Sequence, residues 1–135
     1  MVSDFKIKET ADVNIEGGFI INGFPSTGLT SAIATELMIN TSRFEFAATI
    51  DSDRFPPISI IKNGAPNYPT RIFVNNDLKT AIFSSYVILD VSLHKDTAKM
   101  ILKWAAEKKC STIISSIAVK TKTDSIMGVA STGTA

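Results

Sequence analysis

Gly23 and Gly28 flank four residues, and Thr30 follows Leu29. This is almost the phosphate-cradling pattern G-x-x-x-x-G-K-[ST], in which backbone N–H groups hold the phosphates and a lysine meets the β/γ charge. Leu29 stands where the lysine belongs, so the loop offers no cation, and the segment Gly23-Phe24-Pro25-Ser26-Thr27-Gly28-Leu29-Thr30 reads first as a tight strand-to-helix turn. Asp90, after Val87-Ile88-Leu89, imitates the acid that steadies magnesium in nucleotide sites. A nucleophile reading of Ser26 would need His94, the only histidine, and Asp90, yet Pro25-Ser26 does not spell G-x-S-x-G. Cys110 and His94 fall at opposite ends of one predicted helix, roughly 20 Å apart by helix rise, too far for a thiolate pair. Asp51 and Asp53 offer two carboxylates to a hard cation, but Arg54-Phe55-Pro56-Pro57 follows instead of further oxygen ligands. No catalytic set, metal site or cofactor is expected.

The composition narrows the classes further. The 135 residues suit one domain with one substantial core, and 44% are hydrophobic, too many for a disordered chain. A net charge of +1 provides no field that would draw nucleic acid or a membrane. The lone Cys110 forms no intrachain disulfide, and no apolar run nears the roughly 20 residues that span a bilayer. A cytoplasmic protein is expected.

These residues need a frame. Phe5 and Ile7 predict a strand, Val13 and Ile15 an extended approach to the core, and Glu16-Gly17-Gly18 a turn. Phe19 to Asn22 predicts a strand buried on both faces. Leu29, Ile33, Leu37 and Met38 make an apolar stripe on a helix from Leu29 to about Asn40, with Ser31, Ala32 and Thr35 small enough for close packing on a sheet. Phe44 to Ile50 alternates as a strand, which completes a βαβ unit with parallel pairing. Ile58 to Ile61, an Asn63-Gly64 turn and a return strand from Arg71 to Val74 predict a hairpin. Ala81 to Phe83 and Tyr86 to Leu93 read as strands. Ala98, Ile101, Leu102 and Ala105 mark the buried face of a helix from Lys95 to Lys109, with Trp104 near its edge. Thr112 to Val119 is a further strand, and Ile126 to Ala130 the start of another. The sum is a single α/β domain over 1–135 with a mixed sheet.

The ordered residues Gly23, Phe24, Pro25, Gly28, Leu29, Ala34, Glu36, Leu37 and then Phe55-Pro56-Pro57 resemble the proteasome assembly chaperone family, in particular archaeal relatives of the second such chaperone. The resemblance implies a three-layer α/β/α domain with phosphorylase-like topology, of which this chain is the N-terminal part. It also implies a non-enzymatic protein that forms homo-oligomers and binds α-subunits of the proteasome core particle. Docking in that family uses a C-terminal tail of the type hydrophobic-Tyr-any. Here Thr134 takes the tyrosine's place, so the chain is read as a truncated or short member. Ser26 and Ser31 stand where the family often has glycine, which weakens an anion cradle. The rival reading is a nucleotide- or phosphate-binding enzyme that uses the Gly23–Gly28 loop with Asp90 or Asp51.

Overall fold

The computed structural model describes residues 5–25, 29–119, 122 and 124–133. Ser26, Thr27 and Gly28 of the glycine loop, and Thr134 and Ala135, lie outside the described residues. In chain order the elements are β1 (Phe5–Glu9), β2 (Phe19–Gly23), α1 (Thr30–Thr41), β3 (Glu45–Ser52), β4 (Ile60–Lys62), β5 (Ala65–Asn67), β6 (Thr70–Asn75), β7 (Thr80–Ser85), α2 (His94–Glu107) and β8 (Thr112–Ser115). A 3-10 turn, Val91–Leu93, leads into α2.

Six strands form one mixed sheet in the order β1-β3-β6-β7-β2-β8. β2 pairs in parallel with both β7 and β8, whereas β6 is antiparallel to β3 and β7. β2, β3, β7 and β8 therefore run one way, and β1 and β6 the other. β2 and β3 are parallel, as a βαβ unit requires, but they are not neighbours: β6 and β7 lie between them.

The two helices cover opposite faces, which gives three layers. Met100, Ile101, Trp104 and Ala105 of α2 join Ile20, Ile50, Ile72, Val74, Ala81 and Phe83 in the main core. Trp104 is 2% exposed and meets Phe83 edge to face with ring centroids 5.4 Å apart. On the other face Met38 and Ile39 of α1 flank a smaller cluster of Phe44, Phe73 and Ile82.

Several local expectations change. On α1, Ser31 and Thr35 are buried on the sheet, the close packing that their size suggested, and Met38 packs on the smaller cluster, but Leu29, Ile33 and Leu37 of the expected apolar stripe face outward. Gly23 explains this. A Cβ there would stand 2.5 Å from Thr35 Oγ1 and 2.6 Å from the Phe83 carbonyl oxygen, so the helix lies too close for a long side chain. The small hydroxyls are satisfied locally, because Thr35 donates back to Ser31 O and Ser31 donates to Phe24 O, each at 2.9 Å. On α2 the buried stripe is Thr97, Met100, Ile101, Trp104 and Ala105, and Leu102 is exposed. The bulk of Trp104 and Met100 sets that rotation.

The Asn63-Gly64 turn forms, with φ 54° at Asn63 and 77° at Gly64, as a two-residue hairpin turn demands. Its return strand is Ala65–Asn67, however, because so tight a turn can pair only adjacent residues. Arg71 to Val74 belongs to the buried β6. Tyr86 to Leu93 is not a strand. The Ser85 hydroxyl accepts from Val87 N at 3.0 Å and turns the chain off the sheet. β8 stops at Ser115, and no strand forms over Ile126 to Ala130.

Candidate functional site

Because β2, β3 and β7 are parallel, the loops that leave them gather at one end of the sheet. Phe24-Pro25 follows β2, Phe55-Pro56-Pro57 follows β3, and Tyr86 to Asp90 follows β7. The N-terminal turn of α2 joins the first two. Phe24 and Pro25 share a cleft of about 240 Å³ with Asn22, His94, Thr97 and Ser115. On the other side Arg54 Nη1 pairs with Asp96 at 2.7 Å, and Nη2 donates to Ser92 O at 3.3 Å. Phe55 is half-buried with its ring edge-to-face on Phe5, at 5.6 Å. Pro56 and Pro57 are exposed. Both sequence motifs are thus held at one end of the molecule.

The cleft is poor in catalytic chemistry. Among the described residues that line it, His94 is the only titratable group, and no lysine, arginine or carboxylate is present. Asn22 Nδ2 donates to Ser115 Oγ at 3.0 Å across β2 and β8. Thr97 Oγ1 is buried without a hydrogen-bond partner. His94 Nε2 lies 3.3 Å from Leu89 O, so its ring is oriented by a backbone carbonyl. Asp90 is fully exposed and caps the 3-10 turn, accepting from both the backbone N–H and the hydroxyl of Ser92. Those bonds, the side-chain bond first, hold its carboxyl below the usual carboxylate range. Asp90 therefore opens a turn rather than ending a buried strand, which removes the basis for reading it as a magnesium ligand.

Asp51 accepts from its neighbour Ser52 N at 2.9 Å, and Asp53 is exposed in the following turn. Among the described residues, no three histidine, cysteine or carboxylate side chains cluster to hold a metal. Cys110 lies past the far end of α2 from His94, half-buried against the main core, and burial pushes its thiol up. Leu29 starts α1 in the left-handed region, φ 55°, with its side chain half-exposed.

Sequence reasoning missed the apolar rim around this end. The β4–β5 hairpin presents Ile58, Ile61 and Tyr68, and the segment after β7 presents Tyr86, Ile88 and Val91. Ile61 is 68% and Ile88 69% exposed. The prolines and the Asn-Gly turn marked the loops; which side chains they turn outward depends on the sheet order. On the α1 side, the Tyr86 hydroxyl donates to Glu36 at 2.9 Å. Burial first, then that bond, raises the phenol above its ordinary range.

No helix among the described residues is long and apolar enough to cross a membrane. An uncharacterized protein of Methanocaldococcus jannaschii is 27% identical over 131 residues, which is 96% of this chain and 54% of that protein. Two solved structures from Pyrococcus furiosus share the fold. PbaA, described as an archaeal homolog of proteasome-assembly chaperone, has a TM-score of 0.71 at 24% identity, over 82% of this chain and 47% of its own. PbaB, described as an archaeal proteasome activator, has a TM-score of 0.68 at 18% identity, over 84% and 51%. The chain thus spans about half the length of the relatives it matches. With the family profile matching residues 20–135, from within β2 onward, the chain belongs to the PAC2 family.

Proposed function

We propose that this chain is a non-enzymatic assembly factor of the proteasome core particle, a cytoplasmic α/β unit that self-associates and docks on α-subunits. The observation that carries this reading is the end of the sheet where both motifs meet. It exposes prolines and large apolar side chains around a cleft that lacks a charged catalytic set. Exposed apolar residues gathered at one place mark a protein-binding surface. The descriptions of PbaA and PbaB support proteasome-related partners. Phe55 and Arg54 anchor the second motif from behind, while Pro56, Pro57 and the hairpin stay free to touch a partner.

The test is capture of purified archaeal core-particle α-subunits by this chain. Association is expected, and it should fall at least tenfold in an Ile61→Asp, Tyr68→Asp double variant whose unfolding transition is unchanged. An absence of association, or association indifferent to that variant, would overturn the reading. Calorimetry with ATP and with inorganic phosphate should register no heat of binding.

A further inference from the structure

Among the described residues Arg71 is the only charged one that is buried, at 8% exposed. Arginine is seldom buried unless it is paired. Here no carboxylate among the described residues forms an ion pair with it. Its Nε is shut off from solvent without a hydrogen-bond partner. The Nη nitrogens are not enclosed in this way, so the guanidinium fork keeps an opening.

The fold holds this cation firmly. Arg71 and Phe73 share the α1 face of β6. The guanidinium lies over the Phe73 ring, with Cζ 4.9 Å from the centroid. Ser84 stands opposite Arg71 on β7, and Gly23 opposite Ser84 on β2. Arg71 is at the start of β6, which runs against β7, so it sits at the end of the sheet where the motif loops gather. β3 and β7 flank it, and β7 and β2 separate it from β8. The unpaired charge therefore belongs to the middle of the sheet, not to its open edge. Tyr86 stands beside it: burial and Glu36 raise that phenol, and the Arg71 charge acts against them. Glu36 accepts from the Tyr86 hydroxyl at 2.9 Å, so its carboxylate is engaged by the phenol and the cation keeps no anion of its own.

We propose that Arg71 takes a carboxylate, edge-on and bidentate, and that the partner docked at this end supplies it as an aspartate or glutamate side chain. This rests on the docking role proposed above and names the chemistry at its centre. A guanidinium laid flat on a ring keeps its edge for a ligand, and the fork matches the two oxygens of a carboxylate. Glu36, reached through Tyr86, repels a dianion such as phosphate more than a monoanion. Tyr86 belongs to the exposed apolar rim, so a partner that covers the rim also shuts water away from the new pair. A cation buried without a counter-charge costs the free protein stability, and the incoming carboxylate offsets that cost.

The experiment has two arms. In the first, the Nε–H resonance of Arg71 in the chain alone is followed by nitrogen-edited NMR as sodium acetate is added. A saturating shift is expected, absent with sodium chloride or sodium phosphate at the same ionic strength. No shift, or an equal shift with either control salt, would overturn the carboxylate site. In the second, Arg71→Met keeps the packing of the stem and removes the charge. It should lower α-subunit capture at least tenfold while the melting temperature holds or rises. Arg71→Lys keeps the charge without the fork and should not restore capture. Capture indifferent to Arg71→Met, or restored by Arg71→Lys, would overturn the proposal. A melting temperature lowered by about 5 °C or more in Arg71→Met would make Arg71 a residue of the fold and overturn it as well. An acetate shift without any capture of α-subunits by the wild type would overturn the docking role and leave the carboxylate site standing.

Discussion

Gly23 of β2 and Thr35 of α1 approach so closely that a methyl on Gly23 would fall 2.5 Å from the threonine hydroxyl. That pair fixes the height of the helix above β2 and, through it, which helix face is buried. Gly23→Ala should destabilise the fold by about 2–3 kcal/mol in urea denaturation, the usual cost of overpacking. Adding Thr35→Ala should recover only part of this, because the Phe83 carbonyl oxygen at 2.6 Å remains in the way.

The packing of α1 makes an unusual contrast. Ile33 is 64% and Leu37 63% exposed, so Ile33→Glu and Leu37→Glu should each change stability by no more than about 0.5 kcal/mol. Ser31→Leu, by contrast, places a large side chain at a 2%-exposed position and should cost about 2 kcal/mol or more. Thermal or urea unfolding of the three variants checks the order. The reverse order would mean that α1 buries its apolar stripe.

Tyr86 links α1 to the end of β7, and its phenol is raised above the ordinary value of 10.0. The folded state then holds its proton more tightly than the unfolded chain does. The corresponding stability is fully present below about pH 10 and is lost as pH climbs through the raised value. Tyr86→Phe should flatten the alkaline fall in melting temperature relative to wild type. An unchanged alkaline limb would show that neither burial of the Tyr86 phenol nor its bond to Glu36 sets the alkaline stability of the folded state.

Both helices end on non-glycine residues in the left-handed region, Arg43 after α1 at φ 56° and Lys109 after α2 at φ 57°. A side chain there costs about 1 kcal/mol against glycine. Arg43→Gly and Lys109→Gly should each raise stability by about 0.5–1 kcal/mol, measurable as an upward shift of the urea midpoint with unchanged slope.

The layer architecture was legible because long patterns announce it: alternation over Phe44 to Ile50, a helix after Gly23 and another before Cys110. The Asn63-Gly64 turn was legible because its backbone conformation restricts residue choice. The facing of the helices was legible only in part: Ser31, Thr35, Ile101 and Ala105 are buried as expected, whereas Leu29, Ile33, Leu37, Ala98 and Leu102 are not. In α1 the apolar stripe is genuine, but burial is decided by the absent side chain at Gly23, which periodicity does not register. In α2 the weight of Trp104 and Met100 turned the helix away from the Ala98–Leu102 side. Tyr86 to Leu93 looked like a strand because its residues favour one; it lacks a neighbour to pair with, and neighbours are set by topology. Phe24, Pro25, Phe55, Pro56 and Pro57 were recognisable as motifs, but their meeting around the start of α2 needed the parallel order of β2, β3 and β7. Arg54, beside the second motif, carried no signal beyond its position.

The place of β2 between β7 and β8 governs when the chain can fold during synthesis. Ile20 and Ile21 leave the ribosome early, but one flank waits for Thr80–Ser84 and the other for Thr112–Ser115. Long-range parallel pairing of this kind is slow to form and leaves an apolar strand open in the meantime. A nascent chain halted before Ser115 therefore carries β2 half-zipped, and chaperone capture should be strongest over that interval of elongation.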